Sequence, residues 1–230
     1  MPNDSSFFTN EPGSTLADRF GDFLKDTELF DALVGYFYSS GFHAIYPSLK
    51  DTDNIRILIG ISTSKETFNL INQGNQVLQD EVISDAQTKE RVGQRIEAEM
   101  ADSEDSKEVE NGVQTFIEWI KSGKLVIKAH KSQNIHAKLY IMTFKEGDRD
   151  KGRVITGSSN FTRSGLISKL EFNVELKDRS DYDFAKNKFD ELWDEAVDVS
   201  EKYVDTIEDK TWFSEKITPY QLYLKFLYEY

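Results

Sequence analysis

A nine-residue segment, NIHAKLYIM at 134–142, constrains the fold of this chain more than any other feature. Its aliphatic residues recur at every second position, which is typical of a β-strand with one apolar face. These residues are Ile135, Ala137, Leu139 and Ile141. The other face then carries His136, Lys138 and Tyr140. A histidine and a lysine about 6 to 7 Å apart on one side of a strand face either water or a negatively charged group.

Other segments with strand and helix patterns surround this one. Enrichment in β-branched and aromatic residues predicts strands over 33–42, 55–62, 124–130, 153–158 and 171–176. Apolar residues at helical spacing predict helices over 15–33, 65–122 and 181–205. We therefore predict an α/β fold with a mixed central sheet flanked by helices.

Composition excludes several classes of site. The chain has 230 residues and no cysteine, which excludes disulfides, thiolate metal sites and a cysteine nucleophile. It has no secretory signal and no apolar run of membrane-spanning length, so we expect a cytoplasmic protein without a membrane partner. We expect one domain over 1–210, followed over 211–230 by an aromatic-rich helical tail that begins a linker to a further domain.

Positive charge is concentrated around the opening segment. The net charge of the chain is −13, yet residues 121–169 hold eleven Lys or Arg against three acids. Such a window is either an ordinary solvated face or a surface that attracts phosphates.

A second polar segment, ITGSSNFTRSGL at 155–166, follows the histidine strand. Gly157 allows a backbone to approach a ligand closely, and Ser158 and Asn160 on either side of Ser159 carry neutral donors. Donors near a histidine and a lysine indicate a site for an oxyanion. Farther along, Glu171 opens a strand on which it shares one face with Asn173 and Glu175.

The pair His136-x-Lys138 and Gly157-Ser158-x-Asn160 resembles the signature of the phospholipase D superfamily. H-x-K alone arises by chance in many proteins, whereas the combination with G-S-x-N and flanking strands is specific. The resemblance implies a phospholipase D-like fold over about residues 28–205. The family signature also has an aspartate five positions after the lysine. Position 143 is Thr here, with Asp148 and Asp150 in the following turn.

The resemblance also implies a reaction. It predicts a metal-independent phosphodiesterase without a cofactor, and we expect a DNA endonuclease. The implied catalytic residues are His136 as the nucleophile that forms a phosphohistidine, Lys138, Ser158 and Asn160 on the phosphate oxygens, and Glu171 beside the imidazole, with Glu175 as an alternative. We expect substrate contacts from Gly157, Ser159, Arg163 and Lys169, whereas Tyr140 and Phe161 should mainly pack in the core.

The family site needs two copies of the motif, and this chain has one. His43 and His130 lack the H-x-K pattern, so we predict a homodimer with the site shared across its two-fold axis. Family members with a single motif include modules attached to helicases, so an attached helicase domain is a further expected partner. Two alternatives stay open: a DNA-binding module without turnover, and a lipid-cleaving enzyme.

Overall fold

The computed structural model describes residues 6–35, 37, 39–60, 84–101, 107–131, 135–211, 213 and 227. The strands are β1 (Phe7–Thr9), β2 (Thr27–Val34), β3 (Asn54–Gly60), β4 (Leu125–His130), β5 (Lys138–Phe144), β6 (Gly152–Gly157), β7 (Phe172–Leu176) and β8 (Val197–Asp198). The helices are α1 (Leu16–Phe23), α2 (Ser39–Ile45), α3 (Asp85–Ala101), α4 (Lys107–Lys121), α5 (Arg179–Glu195) and α6 (Ser200–Lys210). A 3₁₀ turn, Leu24–Asp26, and a π-helical turn, Ser164–Ser168, complete the elements of the described residues.

The strands form one eight-stranded sheet in the order β1-β7-β6-β5-β2-β3-β4-β8. Strands β2, β3 and β4 are parallel, and the remaining neighbours pair antiparallel. Helices cover both faces. The larger hydrophobic core includes side chains of α1, α2, α3, α4 and α6, whereas α5 is the one described helix that packs on the opposite face. The predicted α/β fold with a mixed, helix-flanked sheet is confirmed.

Strand β5 has the predicted alternation, with a difference along its length. Leu139 and Ile141 pack on the α5 face, and Tyr140 and Met142 are fully buried in the larger core. The polar character of the second face is therefore confined to its beginning, at the exposed His136 and the half-buried Lys138. Tyr140 and Phe161 both lie in the core, as expected.

The predicted boundaries in the first quarter of the chain are wrong. The helix predicted over 15–33 ends at Phe23, and the chain continues as strand β2. Of the strand predicted over 33–42, residues 33–34 belong to β2 and 39–42 to α2, while 36 and 38 lie outside the described residues. A central strand buried on both faces lacks simple alternation, so its pattern resembles that of a helix. The fully buried Asp31 of β2 adds to this resemblance; it is an acid inside a buried strand because it binds Arg56, Oδ1 to Nε 2.6 Å, and Lys186, Oδ2 to Nζ 3.0 Å.

The helix predicted over 181–205 is interrupted. Helix α5 ends at Glu195, and the two-residue strand β8 pairs with β4 before α6 begins. The interruption is held by Ser200, whose Oγ accepts the Ile127 N–H at 2.9 Å. This partner lies 73 residues away in the sequence, so local periodicity cannot reveal the break.

The remaining predicted strands agree with β3, β4, β6 and β7 to within two residues at each end. Helix formation in 65–122 is confirmed for α3 and α4, and the rest of that range lies outside the described residues. So does the predicted C-terminal tail, apart from residues 211, 213 and 227. In the part of the chain that the structure describes, none of the helices has the length and apolar character needed to cross a bilayer.

Candidate active site

The two sequence motifs meet at one edge of the sheet, where β2 ends and β5 begins. Val34 pairs with Lys138, and the N–H of Gly35 donates to the Ala137 carbonyl at 3.2 Å. The segment 135–137 therefore continues β5 across the end of β2. Ile135 and Ala137 pack toward α5, so the intervening His136 points to the opposite face.

Glycines make room for this segment. At Gly35, the position that a Cβ would take lies 3.7 Å from the His136 Cα and 3.9 Å from Asn160 Oδ1. Gly35 therefore lies in contact distance of both motifs, and its lack of a side chain leaves room between them. At Gly60, the end of β3, a Cβ would overlap the Ile135 carbonyl. The backbone before His136 thus lies directly on the ends of two parallel strands.

His136 and Lys138 contact each other. The Lys138 Nζ lies 2.8 Å from His136 Nδ1 and also donates to the His136 carbonyl at 3.1 Å. Because an ammonium group can only donate, Nδ1 accepts and the neutral ring carries its proton on Nε2. Burial lowers the pKa of Lys138, and the nearby negative charge of Glu171 acts in the opposite direction.

Ser158 and Glu171 form a second contacting pair. Ser158 Oγ donates to Glu171 Oε2 and accepts the Phe172 N–H at 3.1 Å, and the Ser158 N–H donates to the Phe172 carbonyl at 3.0 Å. The start of β7 therefore fixes the serine of the second motif. Glu171 lies close enough to Lys138 for its charge to act on the lysine pKa, which places both pairs in one site.

Asn160 completes the cluster beside Gly35. Its side chain is half-buried, and its Oδ1 is buried without a hydrogen-bond donor among the described residues. Few buried amide oxygens in folded proteins are left without a donor. The Asn160 oxygen therefore makes no hydrogen bond that holds the fold together among the described residues, as expected of a group that contacts substrate.

Ser159 points away from this cluster, into the protein. It is fully buried, its Oγ accepts from Asn173 Nδ2 at 3.0 Å, and its carbonyl accepts from Tyr140 Oη at 2.9 Å. The inward Ser159 makes its neighbours Ser158 and Asn160 point outward. The sequence did not predict that Tyr140 and Asn173 anchor Ser159. The one indication was that Asn173 alternates with Phe172 and Val174, which puts its side chain on the opposite face of the strand from theirs.

The other predicted substrate contacts lie around the cluster in different ways. At Gly157 a Cβ would overlap the Phe172 carbonyl, so this glycine permits close strand pairing between β6 and β7. Arg163 and Lys169 lie exposed at the two ends of the π-helical turn that follows Asn160. The structure brings these two cations near the site without placing them inside it.

Glu175, the alternative histidine partner, is engaged elsewhere. It is almost fully buried between Arg19, Nη1 to Oε2 3.1 Å, and Arg153, Nε to Oε1 3.4 Å. Two guanidinium groups on one buried carboxylate form a structural ion pair that holds α1 to the sheet. Of the two candidate glutamates, only Glu171 lies in the cluster.

The two other histidines are also outside it. His43 packs against Gly112 of α4, and burial lowers its pKa to about 4. His130 is buried at the end of β4 on the α5 face, with Nε2 3.6 Å from Glu195 Oε2. His136 points to the opposite face of the sheet. Among the described residues, one histidine therefore contributes to the cluster.

The departure from the family signature lies far from this site. Thr143 is near the opposite end of β5, about 20 Å away at the strand rise per residue, and its Oγ1 is 2.8 Å from Tyr182 Oη. Asp148 and Asp150 line a surface cleft of about 500 Å³ at that same end. Neither aspartate substitutes at the site. The residue at the position of the family aspartate, Thr143, therefore takes part in the packing of α5 on β5.

The basic window does not form one continuous surface. Several of its cations are held in ion pairs with acids: Lys121 with Glu208, Lys131 with Asp85, Lys151 with Asp183, and Arg153 with Asp150. Most of these pairs are on different elements around the fold. Most of the window is therefore an ordinary solvated face. Of its cations, Lys138 lies in the site, and Arg163 and Lys169 border it. No metal-binding group of three or more His, Asp or Glu side chains occurs in the described ranges.

Comparison with known proteins gives one family match. A family model described as "Cardiolipin synthase, PLD-like domain" matches residues 42–193. No curated protein sequence matches the chain. Among solved structures, the phosphatidylserine synthase of Haemophilus influenzae Rd KW20 has 14% identity and a TM-score of 0.51, over 97% of this chain and 44% of its own.

Two shorter proteins are also similar. NucT from Helicobacter pylori has 13% identity and a TM-score of 0.45, over 84% of this chain and 97% of its own. Nuc, a phospholipase D family member from Salmonella typhimurium, has 14% identity and a TM-score of 0.45, over 84% of this chain and 95% of its own.

Proposed function

The chain belongs to the phospholipase D superfamily, a group of phosphodiesterases and nucleases, and we propose that it is a metal-independent phosphodiesterase that cleaves DNA. The observation that carries this proposal is the contact of His136 with Lys138 beside Ser158, Glu171 and Asn160 at one sheet edge. A nucleophile, a cation and neutral donors converge there. These are the groups that phosphoryl transfer needs when no metal supplies the charge.

In the first step, Nε2 of His136 attacks phosphorus, a P–N bond forms, and the P–O bond to the leaving group breaks. The Lys138 ammonium, Ser158 and Asn160 stabilise the non-bridging oxygens. Attack requires Nε2 to lose the proton that it holds while Lys138 donates to Nδ1. A phosphate that draws Lys138 away would let Nδ1 take the proton and donate it toward Glu171.

The second proton-transfer group has to come from another subunit, since the cluster contains one histidine. In the proposed homodimer, His136 of the partner subunit acts as an imidazolium, protonated on both ring nitrogens, and donates its Nε2 proton to the leaving oxygen. It then removes a proton from water, which attacks phosphorus, breaks the P–N bond and restores the first His136. At the end of the cycle both histidines are again free of phosphorus, and the partner's His136 has regained its proton.

The experiment follows hydrolysis of DNA and of bis(4-nitrophenyl) phosphate in excess EDTA. We expect wild type to cleave both, His136→Ala to lose roughly 10³-fold in rate, and a phosphoenzyme stable to alkali and labile to acid to form in wild type. Lys145→Ala, which removes a lysine charge at the far end of β5, is the control and should retain activity. No cleavage by folded, dimeric wild type would refute the enzyme and favour a DNA-binding module.

A further inference from the structure

The side chain of Tyr140 connects the two motifs of the candidate site. It lies on β5 two residues after Lys138, on the same face of the strand, and is fully buried. Its hydroxyl donates to the Ser159 carbonyl at 2.9 Å. Ser159 stands between Ser158 and Asn160 in the second motif. One hydrogen bond inside the core therefore ties the strand of the first motif to the loop of the second.

Tyr140 contacts both neighbours of Asn160. The Ser159 carbonyl belongs to the peptide unit that leads into Asn160, and because a peptide unit is planar, the hydrogen bond to this carbonyl orients the backbone on that side. On the other side, Phe161 is fully buried, with its ring centroid 6.1 Å from that of Tyr140. The backbone position of Asn160 therefore depends on both the hydroxyl and the ring of Tyr140.

Strand pairing does not reach this part of the loop. The pairs of β6 with β5 and with β7 end at Thr156 and Gly157, respectively. Beyond the strand, the described residues hold Ser159 by two side chains, Tyr140 at its carbonyl and Asn173 at its Oγ. The bond to Oγ acts through a side chain that can rotate, whereas the bond to the carbonyl acts on the backbone directly. The Tyr140 hydroxyl is therefore the more direct constraint on the loop.

The ring that carries this hydroxyl is held in place by packing. It lies edge-to-face on Phe20 at 5.2 Å and stacks with Phe30 at 6.4 Å between ring centroids. These contacts do not involve the hydroxyl, so a phenylalanine ring in the same place would keep them. Only the donor to the Ser159 carbonyl would be lost. A buried carbonyl without a donor is unfavourable, so the peptide would turn toward another partner and the loop would shift.

We propose that Tyr140 is a positioning residue: its hydroxyl holds Asn160 and Ser158 at the distance from Lys138 at which all three bind one phosphoryl group. This inference rests on the proposed function and adds to it a residue that does not touch the substrate. Burial raises the pKa of Tyr140 well above its ordinary value, so the hydroxyl stays protonated and remains a donor. A shift of about 1 Å in a catalytic group costs roughly 10²-fold in rate, which sets the scale of the expected effect.

The test compares Tyr140→Phe with Tyr182→Phe. Tyr182 is also buried, and its Oη lies 2.8 Å from Thr143 Oγ1 at the far end of β5, so each variant loses one tyrosine hydrogen bond. Both are assayed with bis(4-nitrophenyl) phosphate in EDTA, well below their melting temperatures measured by circular dichroism. We expect Tyr140→Phe to lower kcat by about 10–100-fold with KM changed less than about threefold, and Tyr182→Phe to keep both.

A second readout does not depend on turnover. Orthovanadate forms a trigonal bipyramidal adduct that resembles the transition state of phosphoryl transfer, and its affinity is measured by calorimetry. We expect Tyr140→Phe to weaken vanadate binding about as much as it lowers kcat. Equal kcat and equal vanadate affinity in the two variants would overturn the positioning role, because the hydroxyl would then only stabilise the fold. If wild type hydrolyses nothing, the proposed function fails, while the vanadate comparison still decides the role of Tyr140; if wild type also binds no vanadate, both fail.

Discussion

Lys138 lies where its ammonium group can donate a hydrogen bond either to His136 or to a bound phosphate. Its Nζ is 2.8 Å from the imidazole, and its half-buried position lowers its pKa. A partly desolvated cation is a stronger partner for an anion than a solvated one, because less water screens it. The same burial makes the charge easier to lose in alkali, which gives the residue a measurable signature.

We predict that Lys138→Met lowers kcat by about 10²–10³-fold, since the charge on the transferring phosphoryl group loses its main cation. In wild type, deprotonation of Lys138 should end activity at a pH below the ordinary lysine value of 10.5, because burial lowers this pKa. Lys138→Arg keeps its charge, so its pH profile of kcat/KM should lack that alkaline decline. An unchanged alkaline limb in the arginine variant would contradict this role.

His43 predicts how stability depends on pH. Burial lowers its pKa to about 4 in the folded protein, against 6.5 for an exposed histidine. Between these two values the unfolded chain binds a proton that the folded chain does not, so the free energy of unfolding falls as pH falls. The contribution is complete above pH 6.5, and about 3 kcal/mol is lost once pH is below 4.

Denaturant unfolding of wild type and His43→Gln across that window measures this effect. The glutamine variant should lose less stability than wild type between neutral and acid pH, because it has no proton to bind. The other titratable groups are the same in both proteins and contribute equally to both. Parallel curves for the two proteins would show that His43 does not titrate as described.

The sequence motifs predicted which residues form the candidate site, but not how their side chains are arranged. His136, Lys138, Ser158, Asn160 and Glu171 do lie together. The inward orientation of Ser159 could not be predicted, because it depends on a hydrogen bond from Asn173 of β7. The ion pair of Glu175 could not be predicted either, because its partner Arg19 lies on α1. Such partners become neighbours only once the sheet has formed.

Among the elements, strand ends define the site more than any helix does. The segment 135–137 lies across the ends of β2 and β3, and the second motif lies between the ends of β6 and β7. The strands themselves were largely predictable from β-branched residues and alternation. Strand β2 was not, because its only β-branched residues are its first and last, Thr27 and Val34, and a central strand that is buried on both faces lacks alternation.

We predict that Gly60→Ala separates fold from activity. The added methyl group would meet the Ile135 carbonyl, so the segment 135–137 must lift and move His136. A displacement of about 1 Å in a catalytic group can cost roughly 10²-fold in rate. We expect that loss with a retained circular dichroism spectrum. In the control Gly21→Ala, on helix α1, the methyl group has room, and activity should not change. Full activity of Gly60→Ala would contradict the described contact.

For the whole molecule, the sheet separates a structural face from a reactive edge. The α5 face buries an ion network in which Asp31 and Asp190 are held by Arg56 and Lys186, at 2.6 to 3.0 Å. The other face carries the larger core and, at its edge, His136 of the candidate active site. In the proposed mechanism His136 is half of a two-histidine site, so one experiment can test the proposed catalysis and the proposed dimer together.

The most direct measurement is the activity of a heterodimer with one wild-type and one His136→Ala subunit. The two subunits carry different tags, so the heterodimer can be purified away from both homodimers and assayed in EDTA with bis(4-nitrophenyl) phosphate. A shared site needs one histidine as nucleophile and the other as acid, so the heterodimer should be at least about 100-fold less active than wild type. Retention of about half the wild-type activity would show that each subunit works alone, and would contradict the shared site.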